Sequence, residues 1–262
     1  KQEAERMTGN KFTREFTLPP YLSDRYRNIP LTTLSSILVS VLGQQSEELG
    51  QEAELEAYFK EKNLSWIILK FDMDIDRQPD AGEKLRVETY ATGYNKLFCY
   101  RQIDAYDEQG DLVVQSTVTY AWFDMTKRKL ARLDPDIMTL YGADYEKRIR
   151  RMKTPEFDPD QASEGDHFEV TYFDIDINNH VNFTIYLKWA IQSLGVDFMN
   201  RHRVQSLSIK YDKEVLEGEE VTVKTSLSPE EDGQVQTISK VESSRDNATV
   251  VLDWVQWQNQ DL

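Results

Sequence analysis

One cysteine, Cys99, stands among 262 residues. Without a second thiol the chain forms no internal disulfide and no cysteine-based zinc site, and it suits a reducing compartment. Long apolar runs are missing as well. The longest candidate, residues 37–42, falls far short of the ~18–20 residues a membrane-spanning helix needs. Glycine (11) and proline (8) are scarce, which excludes collagen-like and low-complexity classes. The first sixteen residues are charged and hold no apolar core of the signal-peptide kind, so no secretory leader is expected; Met7 is a candidate native start. Basic residues are outnumbered, 31 Lys and Arg against 46 Asp and Glu, for a formal charge of −15. A nucleic-acid role is disfavoured, because binding phosphates needs a net basic face. His167 and His202 lack partners at metal-ligand spacing and read as surface residues, so no metal site and no cofactor is expected.

What is present is enough to build a core: 39% hydrophobic residues, 11% aromatic. Two segments carry helical periodicity. In residues 31–49, Leu31, Leu34, Leu38, Val41 and Leu42 recur at helical spacing, with Pro30 suited to the first turn. In residues 182–199, Tyr186, Trp189, Ala190 and Leu194 share a face. Strand-like segments follow each helix: 66–75, 84–93, 98–107 and 111–123 after the first, 204–211, 220–228, 233–242 and 248–258 after the second. Turn residues separate them at 108–110, 232–233 and 245–247. Each half is therefore a short strand, one long helix and an antiparallel meander. A Pro- and charge-rich stretch, residues 134–166, joins the halves and is expected to hold one short helix.

The halves also echo each other in residues. Residues 76–89 align without gaps on 212–225, matching Asp, a basic residue, Gly, Glu, an aliphatic, Val and Thr. Ahead of the helices, Asp24, Asn28 and Pro30 align on Asp174, Asn178 and His180. Two echoes at equivalent points of the same element order argue for duplication and against two unrelated α+β domains. A curved antiparallel sheet wrapped around one long helix is the hot-dog architecture. The expected fold is thus α+β, a double hot-dog forming a covalent pseudo-dimer. The expected boundaries are 1–133 for the first hot-dog, 134–165 for a basic linker and 166–262 for the second.

The densest polar cluster is Asp174, Asp176, Asn178, Asn179, His180 and Asn182, where a strand gives way to the second helix. One such residue suffices for an N-cap, a role open to Asn179 or Asn182. Strand alternation would put Asp174, Asp176 and Asn178 on one face, with His180 at the helix start. Amides of the first helical turn could stabilise a developing oxyanion. Glu214 begins the following meander. A carboxylate beside an imidazole and an amide is a hydrolytic set: base or nucleophile from the carboxylate, donors for the tetrahedral oxygen. By the aligned echoes, Tyr26, Pro30 and Gln78 stand in the first half for Asp176, His180 and Glu214, and only the amide, as Asn28, survives. One site per chain is expected, in the second half. Cys99, between Phe98 and Tyr100, reads as a packed side chain.

The run Asp174-Ile-Asp176-Ile-Asn178-Asn-His180-Val-Asn182, continued by Tyr186 and Trp189, resembles the acyl-ACP thioesterases of plants and bacteria. So do residues 122–130 and 211–214, and the resemblance spans nearly the whole chain. It implies a tandem hot-dog enzyme that releases fatty acids from acyl carrier protein, with Asp176, Asn178, His180 and Glu214 catalytic. Some members carry a cysteine right after that Glu; here Val215 stands there, which argues against a cysteine mechanism. The resemblance further implies a partner, acyl carrier protein bearing a fatty acyl-phosphopantetheine, and an acyl chain held inside the first half. Plant members carry a transit peptide that this sequence lacks, so a bacterial, cytoplasmic enzyme is expected. An acyl-CoA thioesterase or a hot-dog hydratase is the alternative. A non-catalytic acyl-thioester sensor ranks last.

Residues 127–153 run against the acidic composition, with nine basic residues to four acids. Acyl carrier proteins are acidic, so Lys127, Arg128, Arg148, Arg150 and Arg151 are the candidate docking residues, with an ordinary solvated linker as the competing reading. Chain-length preference and oligomeric state are not encoded in any pattern recognised in the sequence.

Overall fold

The computed structural model describes residues 9–48, 52–154, 156–177, 179–246 and 249–259. They divide into two compact units, residues 1–69 with 78–151, and residues 70–77 with 152–262.

In unit 1 the strands are β1 (Phe12–Thr17), β2 (Leu64–Ile75), β3 (Lys84–Tyr94), β4 (Phe98–Tyr106), β5 (Leu112–Asp124) and the short β6 (Lys129–Ala131). They run antiparallel in the order β1-β3-β4-β5-β2, with β6 also on β5. Helix α1 (Leu31–Glu48) lies on this sheet through Leu31, Leu34, Ser35, Leu38, Val41 and Gln45. Four of the five apolar residues expected from periodicity are on this face, two polar members are added, and Leu42 is only half-buried. The turn at 108–110 is built as its residues require. The Asp107 carboxylate accepts the Gln109 and Asp111 amides at 3.0 and 2.9 Å, and Gly110 takes a left-handed φ of 90°.

Unit 2 begins within β2, at Lys70. Residues 70–74 of that strand pair with β8 (His202–Tyr211), followed in order by β11 (Thr249–Asn259), β10 (Gln234–Ser243), β9 (Glu220–Leu227) and β7 (Asp166–Glu169). At the β9–β10 hairpin, Asp232 and Gly233 both take positive φ, 50° and 73°, as a tight primed turn demands. The turn expected at 245–247 lies partly outside the described residues. The second long helix is shorter than its periodicity suggests. It runs as α4 (Phe183–Leu194) and breaks at Gly195, φ 80°, before α5 (Val196–Arg201). The apolar stripe continues past the break, but a glycine in the left-handed region ends the helical ladder.

The stretch 134–166 does hold a short helix, α3 (Pro135–Leu140) in unit 1, capped by the Asp134 side chain, which accepts from the Asp136 amide. Helix α2 (Glu52–Lys62) escaped the sequence reading. It is polar on most of its surface, and its attachment is aromatic: Phe59 packs on Trp66 and Trp122 at 5.8 and 5.2 Å, and Tyr58 on Trp122 at 5.8 Å.

The duplication is visible bond by bond. In unit 1 the Asp24 amide donates to the Asn28 carbonyl at 2.9 Å, the Arg27 amide to the Asp24 carbonyl at 3.1 Å, and the Asn28 amide to the Asp24 carboxylate at 3.0 Å. In unit 2 the Asp176 amide donates to the His180 carbonyl at 2.9 Å, the Asn179 amide to the Asp176 carbonyl at 3.0 Å, and the His180 amide to the Asp176 carboxylate at 3.5 Å. The fourth residue of each turn is left-handed, Arg27 at φ 71° and Asn179 at φ 61°. The next amides follow suit: Ile29 donates to Pro79, Val181 to Val215. Helices α1 and α4 then start two residues later, at Leu31 and Phe183. The alignment of the first echo is therefore corrected by two residues. Asp176 corresponds to Asp24, Asn178 to Tyr26, His180 to Asn28, and Asn182 to Pro30. The second echo keeps its register, so Glu214 still corresponds to Gln78.

Candidate active site

The segment before α4 is not a strand. Residues 172–174 form a single 3-10 turn, Ile175 makes one bridge to Val181, and Asp176, Asn179 and His180 make the turn bonds just described. The expected common face of Asp174, Asp176 and Asn178 is thus replaced by a split of roles. Asp174 is buried and structural: its carboxylate accepts the Thr171 amide and hydroxyl at 2.9 and 2.7 Å. Asp176 closes the turn that presents His180. Asn178 lies outside the described residues.

Of the two cap candidates, Asn182 takes the position. Its side chain accepts the Thr184 amide at 3.0 Å and the Thr184 hydroxyl at 2.8 Å. Its own amide donates to the Asp174 carbonyl at 2.8 Å. These bonds occupy amides of the first turn and reduce the number left for an oxyanion.

Glu214 reaches the imidazole from the other side. His180 Nε2 and Glu214 Oε2 are 2.9 Å apart, with the side chains 15% and 23% exposed. The pair is shielded enough to strengthen its interaction and open enough for a substrate to reach it. The backbone explains the aim of the carboxylate. Val215, fully buried, donates its amide to the Tyr186 hydroxyl at 3.2 Å and accepts the Val181 amide at 3.1 Å. Glu214, one residue earlier, is thereby fixed to both α4 and the residue after His180. Tyr186 is itself buried against Trp189 and Tyr211, and burial pushes its phenol well above the ordinary value, so it stays protonated. Tyr211 ties the same corner by donating to the Phe183 carbonyl at 3.1 Å. Neither tyrosine's bracing role had a signal in the sequence beyond a helical face of aromatics.

In unit 1 the matching corner is chemically mute. Gln78 Nε2 donates to the Ile29 carbonyl at 2.7 Å, where unit 2 has a carboxylate facing an imidazole. Asn28 holds the position of His180.

Other candidates sort out by contact. The Cys99 thiol is buried, and desolvation raises its pKa to about 11, so it is no nucleophile at neutral pH. No cluster of three or more potential metal ligands exists among the described residues. No helix among them is long and apolar enough to cross a membrane. His202 is a buried side chain bonded to the Phe198 carbonyl at 2.9 Å, rather than a surface residue as expected. Tyr172, Phe173 and Ile177, just ahead of the site, are 77%, 90% and 98% exposed.

The basic stretch is uneven. Arg150 is committed: it pairs with Glu146 and donates to the Thr92 hydroxyl and carbonyl at 2.9 and 2.8 Å, over the Tyr100 ring. Lys127 pairs with Asp124 at 2.8 Å, and Arg128 lies over Phe123 at 5.2 Å. Arg148 and Arg151 are exposed.

An antiparallel sheet, with one long helix in each unit, places the chain among the double hot-dog α+β proteins. Residues 9–141 match the acyl-ACP thioesterase N-terminal domain and residues 157–259 the acyl-ACP thioesterase C-terminal domain; the chain belongs to the acyl-ACP thioesterase family. It is similar to the chloroplastic palmitoyl-acyl carrier protein thioesterase of Arabidopsis thaliana, 21% identical over 96% of this chain and 65% of the relative. A chloroplastic acyl-[acyl-carrier-protein] hydrolase of Cuphea viscosissima is 19% identical over 95% of this chain and 63% of its own length. The chain thus spans less than two thirds of these curated relatives. Among solved structures, one described as an oleoyl thioesterase from Lactobacillus plantarum aligns with TM-score 0.89 and 26% identity, covering 97% of this chain and 98% of that one. A 12:0-ACP thioesterase from Umbellularia californica aligns with TM-score 0.82 and 15% identity over 95% and 98%, a likeness of fold.

Proposed function

We propose that the chain hydrolyses fatty acyl-ACP thioesters to free fatty acid and acyl carrier protein. The observation that carries this is the 2.9 Å contact between His180 and Glu214, in a chain belonging to this family. Glu214 takes a proton from water, or attacks the thioester carbon itself. His180 shares that proton and delivers it to the departing thiolate. Asp176 acts through the turn it closes, which sets the imidazole. Asn178 and the α4 amides not engaged by Asn182 and Asp174 stabilise the tetrahedral oxygen. No metal or cofactor enters these steps.

The reading divides labour between residues 1–133, which hold the acyl chain, and residues 166–262, which carry the chemistry, with 134–165 as a basic linker. Gln78 and Asn28 in place of carboxylate and imidazole support a single site. The acidic carrier protein is taken to dock on basic residues of 127–153. Exposure favours Arg148 and Arg151 there, and the internal bonds of Arg150 disfavour it. A reducing cytoplasm suits the one buried thiol. A panel of acyl-ACP and acyl-CoA thioesters of varied length tests the reading. Release of free acid from acyl-ACP at much higher kcat/KM than from acyl-CoA is expected. Hydrolysis of acyl-CoA alone, or hydration of enoyl thioesters, would replace it.

A further inference from the structure

On the inner face of unit 1, several buried polar atoms have no hydrogen-bond partner among the described residues. Arg101 on β4 reaches across to Gln45 of α1, which identifies this side of the sheet as the one under the helix. Strand register puts Cys99 and Ile103 on the same side, opposite Tyr120 and Ser116 of β5, with Val118 facing Arg101. Arg101 is buried, and its polar contacts are the Gln45 amide oxygen and, at 3.4 Å, the Thr89 hydroxyl; the Tyr141 ring lies at 5.4 Å. Not one is a carboxylate, and no ion pair involves Arg101 among the described residues. Among the described residues its Nε has no hydrogen-bond partner, and neither do the buried Tyr120 hydroxyl and Ser116 hydroxyl on the same face.

Such an arrangement is unfavourable by itself. A guanidinium out of water without a counter-charge is penalised by several kcal/mol, and buried polar atoms are otherwise nearly always bonded. Burial depresses the Arg101 pKa and raises that of Tyr120, so each is stabilised by an acceptor brought between them. The surroundings are apolar: Ile103 and Val118 in the sheet, Leu38 and Val41 on the helix, and Trp66 packed on Tyr120 at 6.0 Å. A cation and a hydroxyl set in an apolar wall select a ligand that is aliphatic along its length and carries an oxygen acceptor at one point.

We propose that the inner face of unit 1 is a subsite for an oxygen acceptor carried on an aliphatic chain, with Arg101 and Tyr120 as its donors. Two sources share this chemistry. One is an acyl-ACP whose chain bears a hydroxyl, oxo or carboxyl group, and this source rests on the function proposed above. The other is a free long-chain carboxylate, which does not need that function.

Two measurements on the whole chain separate them. Decanoate and 1-decanol are titrated while tryptophan fluorescence is followed, since Trp66 lies beside Tyr120. In parallel, kcat/KM is measured for hydroxyl- or oxo-bearing acyl-ACPs against plain acyl-ACPs of equal length. Wild-type protein, Tyr120→Phe and Arg101→Gln are compared, with folding checked by circular dichroism. Tyr120→Phe keeps the ring and so guards against a loss that is only structural. If carboxylate is the source, decanoate binds better than decanol, and the preference falls at least ~10-fold in Tyr120→Phe, the scale of a lost hydrogen bond to a charged group. If oxygenated acyl chains are the source, the oxygenated-to-plain ratio falls by that factor instead. A wild type that hydrolyses no acyl-ACP removes the proposed function, yet the decanoate titration still decides the subsite. No preference for oxygen in either measurement, or one unchanged in a folded Tyr120→Phe, overturns the proposal.

Discussion

The Tyr186 hydroxyl accepts the Val215 amide at 3.2 Å, one residue beyond the carboxylate that faces His180. A buried phenol on α4 thereby sets the position of an acid on the loop after β8. Tyr186→Phe removes the acceptor and leaves a buried amide unbonded, a loss of about 1–3 kcal/mol. We expect a lower melting temperature and a kcat reduced ~10-fold, with KM for acyl-ACP changed little. The pH–rate profile should shift as well, because the Glu214–His180 contact loosens. A purely structural tyrosine would lower the melting temperature and leave that profile in place.

The asymmetry of the duplication makes its own forecast. Asn28→Ala and Gln78→Ala alter the positions equivalent to His180 and Glu214, but in the unit without an imidazole or carboxylate there. Gln78→Ala loses the bond to the Ile29 carbonyl and should lower stability by about 1 kcal/mol while retaining most turnover. Steady-state kinetics beside thermal denaturation checks this. If Gln78→Ala abolishes turnover as fully as Glu214→Ala does, the single-site account fails.

Asp253 faces inward from β11, opposite Ile209 and Ser239, and neither of its carboxylate oxygens has a hydrogen-bond partner among the described residues. Burial raises its pKa from 3.8 to about 8. Because the unfolded chain ionises first, this residue destabilises the fold progressively as pH climbs from the unfolded to the folded pKa, by about 1.4 kcal/mol per unit at most. Asp253→Asn should therefore gain stability relative to wild type between pH 4 and pH 8, with little further pH dependence of the difference below that window. Denaturant melts across this range test it; a difference independent of pH would show that the carboxyl is not held neutral.

Docking on the basic stretch is expected to depend on Arg148 and Arg151, both exposed. Changing both to Glu should raise KM for acyl-ACP and spare a small acyl thioester. The effect should shrink with salt, since surface charges are screened over ~8 Å at physiological ionic strength. Arg150→Glu should instead destabilise unit 1, because it breaks the bonds to Thr92 and Glu146. Equal losses on both substrates in the Arg148/Arg151 variant would mark the stretch as structural.

Much of this architecture could be read in the chain. The α1 stripe and most strand ends were legible because apolar spacing records burial directly. Helix α2 was not, since Tyr58 and Phe59 supply its aromatic attachment and most of its surface is polar. The helix-start echo was legible in kind but not in register. Asp24 and Asn28 match Asp174 and Asn178 in residue type, whereas the backbone turn matches them to Asp176 and His180. Sequence sees identical letters; the left-handed Arg27 and Asn179 reveal the shared conformation. His180 and Glu214 were readable as a pair by chemistry, but their bracing by Tyr186 and Val215 depends on contacts between distant segments.

The central claim is that His180 and Glu214 form the hydrolytic centre, and single-turnover hydrolysis of acyl-ACP tests it most directly. Wild type, Glu214→Gln and His180→Ala are compared at equal folded concentration. The account predicts rates at least ~10²-fold lower in each variant, the scale of lost general acid–base catalysis, with unchanged circular dichroism. A folded Glu214→Gln protein that turns over at close to the wild-type rate would contradict it.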